Sequence, residues 1–294
     1  METRSAPMTV CFRQAVFVRP PVCVVAEELE FFTEAGVEVE TVSIQSSLDQ
    51  RDRLLSGNVD VGVTAMDNLV VWNAAGGDLR IVAQVETTTP LLLTANASVG
   101  TVEDLRGRKL GVDALANGFA VVLRHLLVEH GLALQECEFV PVGGVRERFE
   151  ALRAGSIDAT LLGPPLDELA LREGHVALLS VADQVRDFPG QGIVAGARAL
   201  RESEGLVRYL RALEAARVWL HGAPPHEALD VLTRGGYVAA SARAALRTRP
   251  VSLAPERAGL ARIVSMRDEL GMLPDPVRID ELYDGRPLGL GLRS

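Results

Sequence analysis

Residues 54–60 read "LLSGNVD" and residues 152–158 read "LRAGSID". Both fit Leu-x-x-Gly-x-(Val/Ile)-Asp, and the offset, 155 minus 57, is 98 residues. The pattern has a physical meaning. A leucine packs a crossover helix on its sheet, glycine supplies the left-handed helix stop, and the β-branched residue re-enters the sheet. Its recurrence predicts two similar lobes.

Reading outward from the first copy, "MTVCFR" is expected as a strand, "CVVAEELEFFTEAG" as one helix closed by Gly36, and "VEVETVSI" as a strand. "LDQRDRLLSG" then reads as a helix and "VDVGVTA" as a strand. This βαβαβ order implies a parallel sheet with helical crossovers. "LRIVAQVET" and "PLLLTAN" add two extended segments. Around the second copy the order restarts with "KLGVDA", "GFAVVLRHLLVEHG", "CEFVPV", "VRERFEALRAG", "IDATLLG" and the Pro-started "PPLDELALREG". After "FPGQGIVAGA" the chain makes one more strand and turns helical, which suggests a return to the first lobe and a helical wrap around it. The expected architecture is α/β, two Rossmann-like lobes with a central cleft. Lobe one takes residues 1–92 and 191–294 and lobe two residues 93–190, with "TTTPLLL" and "DFPGQG" as hinge crossings and "GLGLRS" as a frayed tail.

Bulk properties narrow the function classes. Net charge is -9 and no Lys/Arg-rich block appears, so nucleic acid is excluded as a partner. No apolar run reaches the length of a membrane span. The N-terminal "METRSAPMTVCFRQAVF" lacks the parts of a signal peptide, so a cytoplasmic location is expected. Cys11, Cys23 and Cys137 are scattered, and no two of the five histidines share a ligating spacing, so neither disulfide nor metal is expected. P-loop, dinucleotide fingerprint, nucleophile elbow and H-E-x-x-H are all absent, and no cofactor is called for.

In open α/β sheets ligands collect beyond the carboxyl ends of strands, where helix N-termini point outward. That rule alone proposes the site. Phe17 and Arg19 follow the first strand, Phe17 able to stack on a ring and Arg19 to clamp an oxyanion. Ser46 and Ser47 precede one helix and Gly143 and Gly144 its counterpart, offering backbone N–H groups to an anion. For Ser47 the competing role is an N-cap. Asp67 and Asn68 either cap the helix "LVVWNAAGG" or face the cleft. Asp113 precedes Asn117, a cap, and Gly118, which lets a ligand approach the backbone; Gly163 ends the last strand of the second lobe. Asp67 and Asp113 are the candidate acid/base groups. Arg146 and Arg148 could clamp an oxyanion from the second lobe, but fall on a helix where a solvent-facing role is at least as good a reading, and Trp72 reads as core.

The run "SSLDQRDRLLSGNVDVGVTAMDN" (46–68), "DLRGRKLGVD" and "NGFA" resemble the type II solute-binding proteins, most closely the branch of sulfonate/taurine receptors and thiamine-pyrimidine-synthase-like proteins. The resemblance implies two hinged lobes that close on a small, anionic or heteroaromatic ligand. It also implies an ABC permease as partner if the chain is exported. The family's cytosolic enzymes, a desulfinase, aromatic decarboxylases and the pyrimidine synthases, suggest a cofactor-independent lyase as the alternative. The desulfinase cysteine and the pyrimidine synthases' cysteine-rich motif find no match here.

Overall fold

A computed structural model describes residues 9–274 and 277–293 of the chain. Met8 of the first expected strand, like the rest of residues 1–8, lies outside the described residues. The chain runs β1 (Val10–Val16), α1 (Pro21–Glu28), α2 (Phe31–Glu34), β2 (Val37–Ser43), α3 (Ser47–Leu55), β3 (Val61–Ala65), α4 (Asn68–Ala74) and β4 (Leu79–Gln84). It continues through β5 (Leu92–Ala95), β6 (Lys109–Val112), α5 (Gly118–Glu129), β7 (Glu138–Pro141), α6 (Val145–Arg153), β8 (Ala159–Leu162), α7 (Leu166–Arg172), β9 (Val176–Ser180) and α8 (Val181–Gln184). After β10 (Gln191–Gly196) come α9 (Ala197–Arg201), α10 (Ser203–Gly222), α11 (Pro225–Arg234), α12 (Ala239–Arg247), α13 (Arg257–Glu269) and α14 (Ile279–Leu282).

Two five-stranded sheets result, ordered β2-β1-β3-β10-β4 and β7-β6-β8-β5-β9. The repeat accounts for their common plan. Gly57 and Gly155 stand at φ +72° and +68°, the left-handed stop that ends α3 and α6. Leu54 and Leu152 are buried against their sheets. The sheets are mixed where parallel ones were expected: β10 runs antiparallel to β3 and β4, and β5 antiparallel to β8 and β9. The reason is connectivity. Each of these two strands enters its sheet from the other lobe, so no crossover helix fixes its direction.

"CVVAEELEFFTEAG" is two helices, broken where Glu30 takes φ 59°. The break lets Phe32 turn inward onto Tyr209 of α10, with ring centroids 5.3 Å apart, while Phe12 stacks on the same ring at 4.9 Å. The C-terminal helices wrap sheet one through α10, which lies against α1, α2 and β1, but α13 also reaches α5 beside sheet two. Trp72 is in the core at 1% exposure, as expected. The tail is pinned rather than frayed: Arg293 N–H donates to Pro255 O at 3.0 Å and its carbonyl accepts from Arg257 N–H at 2.9 Å, while Ser294 lies outside the described residues.

Chain passes between the sheets twice, from β4 to β5 and from α8 to β10. The two passages touch. A Cβ on Gly190 would fall 2.6 Å from Thr88 O and 2.7 Å from Glu86 Cβ, so only glycine permits this approach.

Candidate functional site

A cleft enclosing about 780 Å³, open solvent at its mouth included, lies between the two sheets. On one side it is lined by Phe17, Val18, Thr64, Ala65, Asn68, Glu86 and Gln191, with Tyr237 and Ala245 from the helical wrap. On the other stand Asp113, Asn117, Phe119, Gly144, Val145, Arg148, Gly163 and Pro164, and Thr89, Pro90 and Leu91 of the first passage close the back. The strand-end rule thus brings Phe17, Asn68, Asp113, Asn117, Gly144 and Gly163 to one cavity.

Much of their hydrogen-bonding capacity is directed at the opposite lobe. Gly144 N–H donates to Gln45 O at 2.8 Å, and Gly118 N–H to Asn68 Oδ1 at 2.8 Å. Ser47 N–H reaches the Asp113 carboxylate at 3.1 and 3.3 Å. Asn117 caps α5 by accepting from Ala120 N–H at 3.0 Å, and its amide donates to Asp113 at 2.6 Å. Two loops expected to present free N–H groups to an anion therefore have these donors occupied across the seam.

Other expected residues do not line the cleft. Arg19 turns away: it pairs with Glu27 of α1 and donates to Gly235 O at 3.1 Å at the end of α11. The N-cap of α3 is Ser46, whose Oγ accepts from Asp49 N–H at 3.1 Å; Ser47 is the first helical residue, with its hydroxyl buried and unpartnered. Neither Asp67 nor Asn68 caps α4 through its side chain. The Asn68 amide donates instead to Thr64 Oγ1 at 2.9 Å. Asp67 is fully buried and held by both Arg267 Nε and Nη2, an arginine 200 positions away on α13. Burial raises its carboxyl above the ordinary range and the guanidinium opposes that rise. Gly143, at φ +117°, gives its carbonyl to Arg148 Nε at 3.2 Å.

Of the two roles left open for Arg148, clamp or solvent-facing, the structure excludes the second. Arg148 is 5% exposed, lines the cleft, and is anchored by donating to Thr160 Oγ1 at 3.2 Å and Leu161 O at 2.6 Å. Among the described residues it forms no salt bridge, and burial lowers its pKa to about 10. A signal existed: Val145 and Leu152 lie three and four positions from it on one helix face and Phe149 is its neighbour, so Arg148 belongs to the buried stripe. Glu86 was missed, although it follows the carboxyl end of β4, where the same rule points. It is 4% exposed and accepts from Gln191 N–H at 3.1 Å and Gln191 Nε2 at 3.0 Å. Burial pushes its carboxyl up to about 7 against those two hydrogen bonds. Cys23, by contrast, is buried with its thiol pushed up to about 12 and does not line the cleft.

A family model described as NMT1/THI5 like matches residues 22–227. The chain belongs to the NMT1/THI5-like family. No curated protein sequence matches it. Among solved structures this NMT1/THI5-like chain is similar to the alkanesulfonate-binding protein SsuA from Xanthomonas axonopodis pv. citri bound to MOPS, at 19% identity and TM-score 0.76 over 95% of this chain and 99% of that one. It is similar to the periplasmic nitrate-binding protein NrtA from Synechocystis PCC 6803, at 13% identity and TM-score 0.77 over 97% and 89%. The desulfurization enzyme DSZB has 16% identity and TM-score 0.68 over 95% and 98%. At such identities the likeness is one of fold, the bilobal α/β arrangement of periplasmic binding proteins. The cytoplasmic location expected from the N-terminus finds no support in these neighbours. No helix among the described residues is long and apolar enough to cross a membrane.

Proposed function

We propose that this protein binds a small anionic molecule with a planar or aromatic part in the interlobe cleft, as a solute-binding receptor or carrier. The observation that carries the reading is Arg148, a buried guanidinium lining the cavity that forms no salt bridge among the described residues, with only the longer-range attraction of Asp113 and Glu147 set against its burial. Such a charge is costly unless something neutralises it, and a bound sulfonate, carboxylate or phosphate does so with matching geometry. Phe17, Phe119 and Tyr237 supply apolar and aromatic wall. Residues 1–92 with 191–294 and residues 93–190 act as the two moving bodies, hinged at the two passages. If the chain is exported, an ABC permease is the partner that receives the ligand.

A second reading rests on Glu86. A buried carboxyl near pKa 7 in a cleft suits a general acid or base, so the same site fits a cofactor-independent lyase in which Glu86, rather than Asp67 or Asp113, moves the proton. One experiment separates the two. Purified protein is equilibrated with a small-molecule extract, and mass spectrometry follows what is retained and what is consumed. An anion retained unchanged by the wild type and not by Arg148→Met supports the receptor. Turnover that Glu86→Gln abolishes supports the enzyme, and retention unaffected by Arg148→Met refutes the anion anchor.

A further inference from the structure

At α13 the chain leaves the first lobe and then comes back to it. Before the helix, Leu253 O accepts from Gln84 N–H of β4 at 2.7 Å, and beyond it Asp284 N–H donates to Ile81 O of the same strand at 2.9 Å. Between these two ties α13 packs on α5 of the second lobe, with Leu260, Ile263 and Met266 buried. Two of its arginines reach across the seam. Arg267 joins Asp67 of the first lobe to Ala116 O of the second, the carbonyl accepting at 2.9 Å. Arg262 Nη2 stands 3.0 Å from His125 Nε2 on α5. Asp67 and Ala116 directly precede Asn68 and Asn117 of the cleft, so the helix bears on the cleft wall.

The contact with His125 selects a protonation state. A guanidinium only donates, so Nε2 is the acceptor and the proton of the neutral ring lies on Nδ1. Nδ1 faces Glu269 Oε2 at 3.9 Å, too far for a hydrogen bond. His125 is 8% exposed, and a second proton would set an N–H on Nε2 against the guanidinium, two donors with no acceptor between them. The charged groups around the ring are Arg262 and Glu269 on α13, Asp187 after α8 and Glu129 one turn along α5. Asp187 and Glu269 are already engaged by Arg262, at 3.6 and 3.0 Å. Burial and then Arg262 hold the imidazole below its ordinary pKa against the three carboxylates. We infer that α13 is a strap holding the second lobe against the first, and that His125 is its acid-sensitive fastening. The fastened arrangement favours the neutral ring, so the fastening is complete above about pH 6.5 and weakens as the pH falls below it. Arg267 and the apolar contacts remain, so the change is a local opening of α5 from α13 rather than unfolding.

Two measurements on the full chain test this, and neither needs a ligand, so the outcome is independent of what the cleft binds. Long-range proton–nitrogen NMR at about pH 8 reads the tautomers of the five histidines, His125 being assigned by its loss in His125→Gln. The expected result is a proton on Nδ1 of His125 and a titration midpoint that rises in Arg262→Gln. Hydrogen exchange read by mass spectrometry, corrected for the intrinsic effect of pH, should show α5 and α13 exchanging roughly threefold faster or more at about pH 5.5 than at about pH 7.5. His125→Gln keeps an acceptor for Arg262 but no titrating proton, and should abolish that difference. If His125→Gln does not fold, Arg262→Gln, which should raise the midpoint and shrink the exchange difference, carries the test. A proton on Nε2, a midpoint unchanged in Arg262→Gln, equal exchange at the two pH values, or a difference that persists in His125→Gln, each overturns the inference.

Discussion

Asp67→Asn replaces one oxygen by an amide and leaves the volume nearly unchanged, yet it should be among the most damaging single substitutions in the chain. Asp67 and Arg267 are both at 0% exposure. Nε donates to Oδ1 at 2.8 Å, Nη2 to Oδ2, and Nη2 also to Ala116 O at 2.9 Å in the loop after β6. Removing the carboxylate charge leaves a guanidinium buried without its counter-ion, a change that costs about 3–5 kcal/mol. For a chain of this size that corresponds to a fall in Tm on the order of 10 °C. Arg267→Met should cost less, because the stranded carboxyl can take a proton and burial already favours that form. The double variant should recover more than half of the Asp67→Asn loss, since a buried pair replaced by apolar groups is often near neutral. Urea unfolding followed through buried Trp72 measures all three. A loss below about 1 kcal/mol for Asp67→Asn, or a double variant as unstable as the sum of the singles, would show that the pair does not hold this seam.

Glu86 predicts a pH dependence of stability. Its folded pKa is raised from 4.5 to about 7, so the folded state holds the extra proton and stability falls as pH rises from about 4.5 through about 7. The shift corresponds to roughly 3 kcal/mol, and Glu86→Gln should flatten the slope of unfolding free energy against pH; an unchanged slope would assign the effect elsewhere. Arg148→Met should weaken the retained anion by roughly 10- to 100-fold, the worth of a charged hydrogen bond. The same variant should leave Tm equal or higher, because burial disfavours the guanidinium's charge; calorimetric titration and a melting curve check both. Gly118→Val places a Cβ 3.0 Å from Asp67 Cβ and 3.1 Å from Ala65 Cβ. About 1–3 kcal/mol should be lost by overpacking, and urea unfolding that matches wild type would contradict the close approach.

Local pattern carried the lobes. The repeat at 54–60 and 152–158 was readable because its leucine, glycine and β-branched residue each answer a requirement of one crossover unit, independent of anything distant. Strand β9 was not, since "HVALLS" has no alternation and follows Gly174 as a loop would. The antiparallel strands escaped for a related reason: direction is set by the far lobe, and no residue in "LLTA" or "QGIVAG" encodes it. Asp67 shows the limit at single-residue scale. Its partner is 200 positions away, so sequence reading could see an acid at a strand end but not the arginine that occupies it.

The strand-end rule points to loops that converge on one cleft, and several of their residues hydrogen-bond across the seam rather than face the cavity. It identifies where loops converge, but convergence in a two-lobed fold brings loops to face each other as well as the cavity. Gln45, Ser47, Asn68, Asp113, Gly118 and Gly144 meet across the seam in three sets of hydrogen bonds. What is left for a ligand is what the opposite loop cannot reach: Arg148, recessed on α6, and Glu86 at the first passage. Both are more costly to bury than any loop N–H, which is why their presence says more about the ligand than the loops do. On the proposed reading, a ligand that neutralises Arg148 would gain most where the lobes exclude water around it, so closure and binding would reinforce each other without any loop donor having to change partners. Small-angle scattering with the retained anion and with the Arg148→Met variant tests this. Compaction by the anion that persists after Arg148 is removed would return the leading role to the loops.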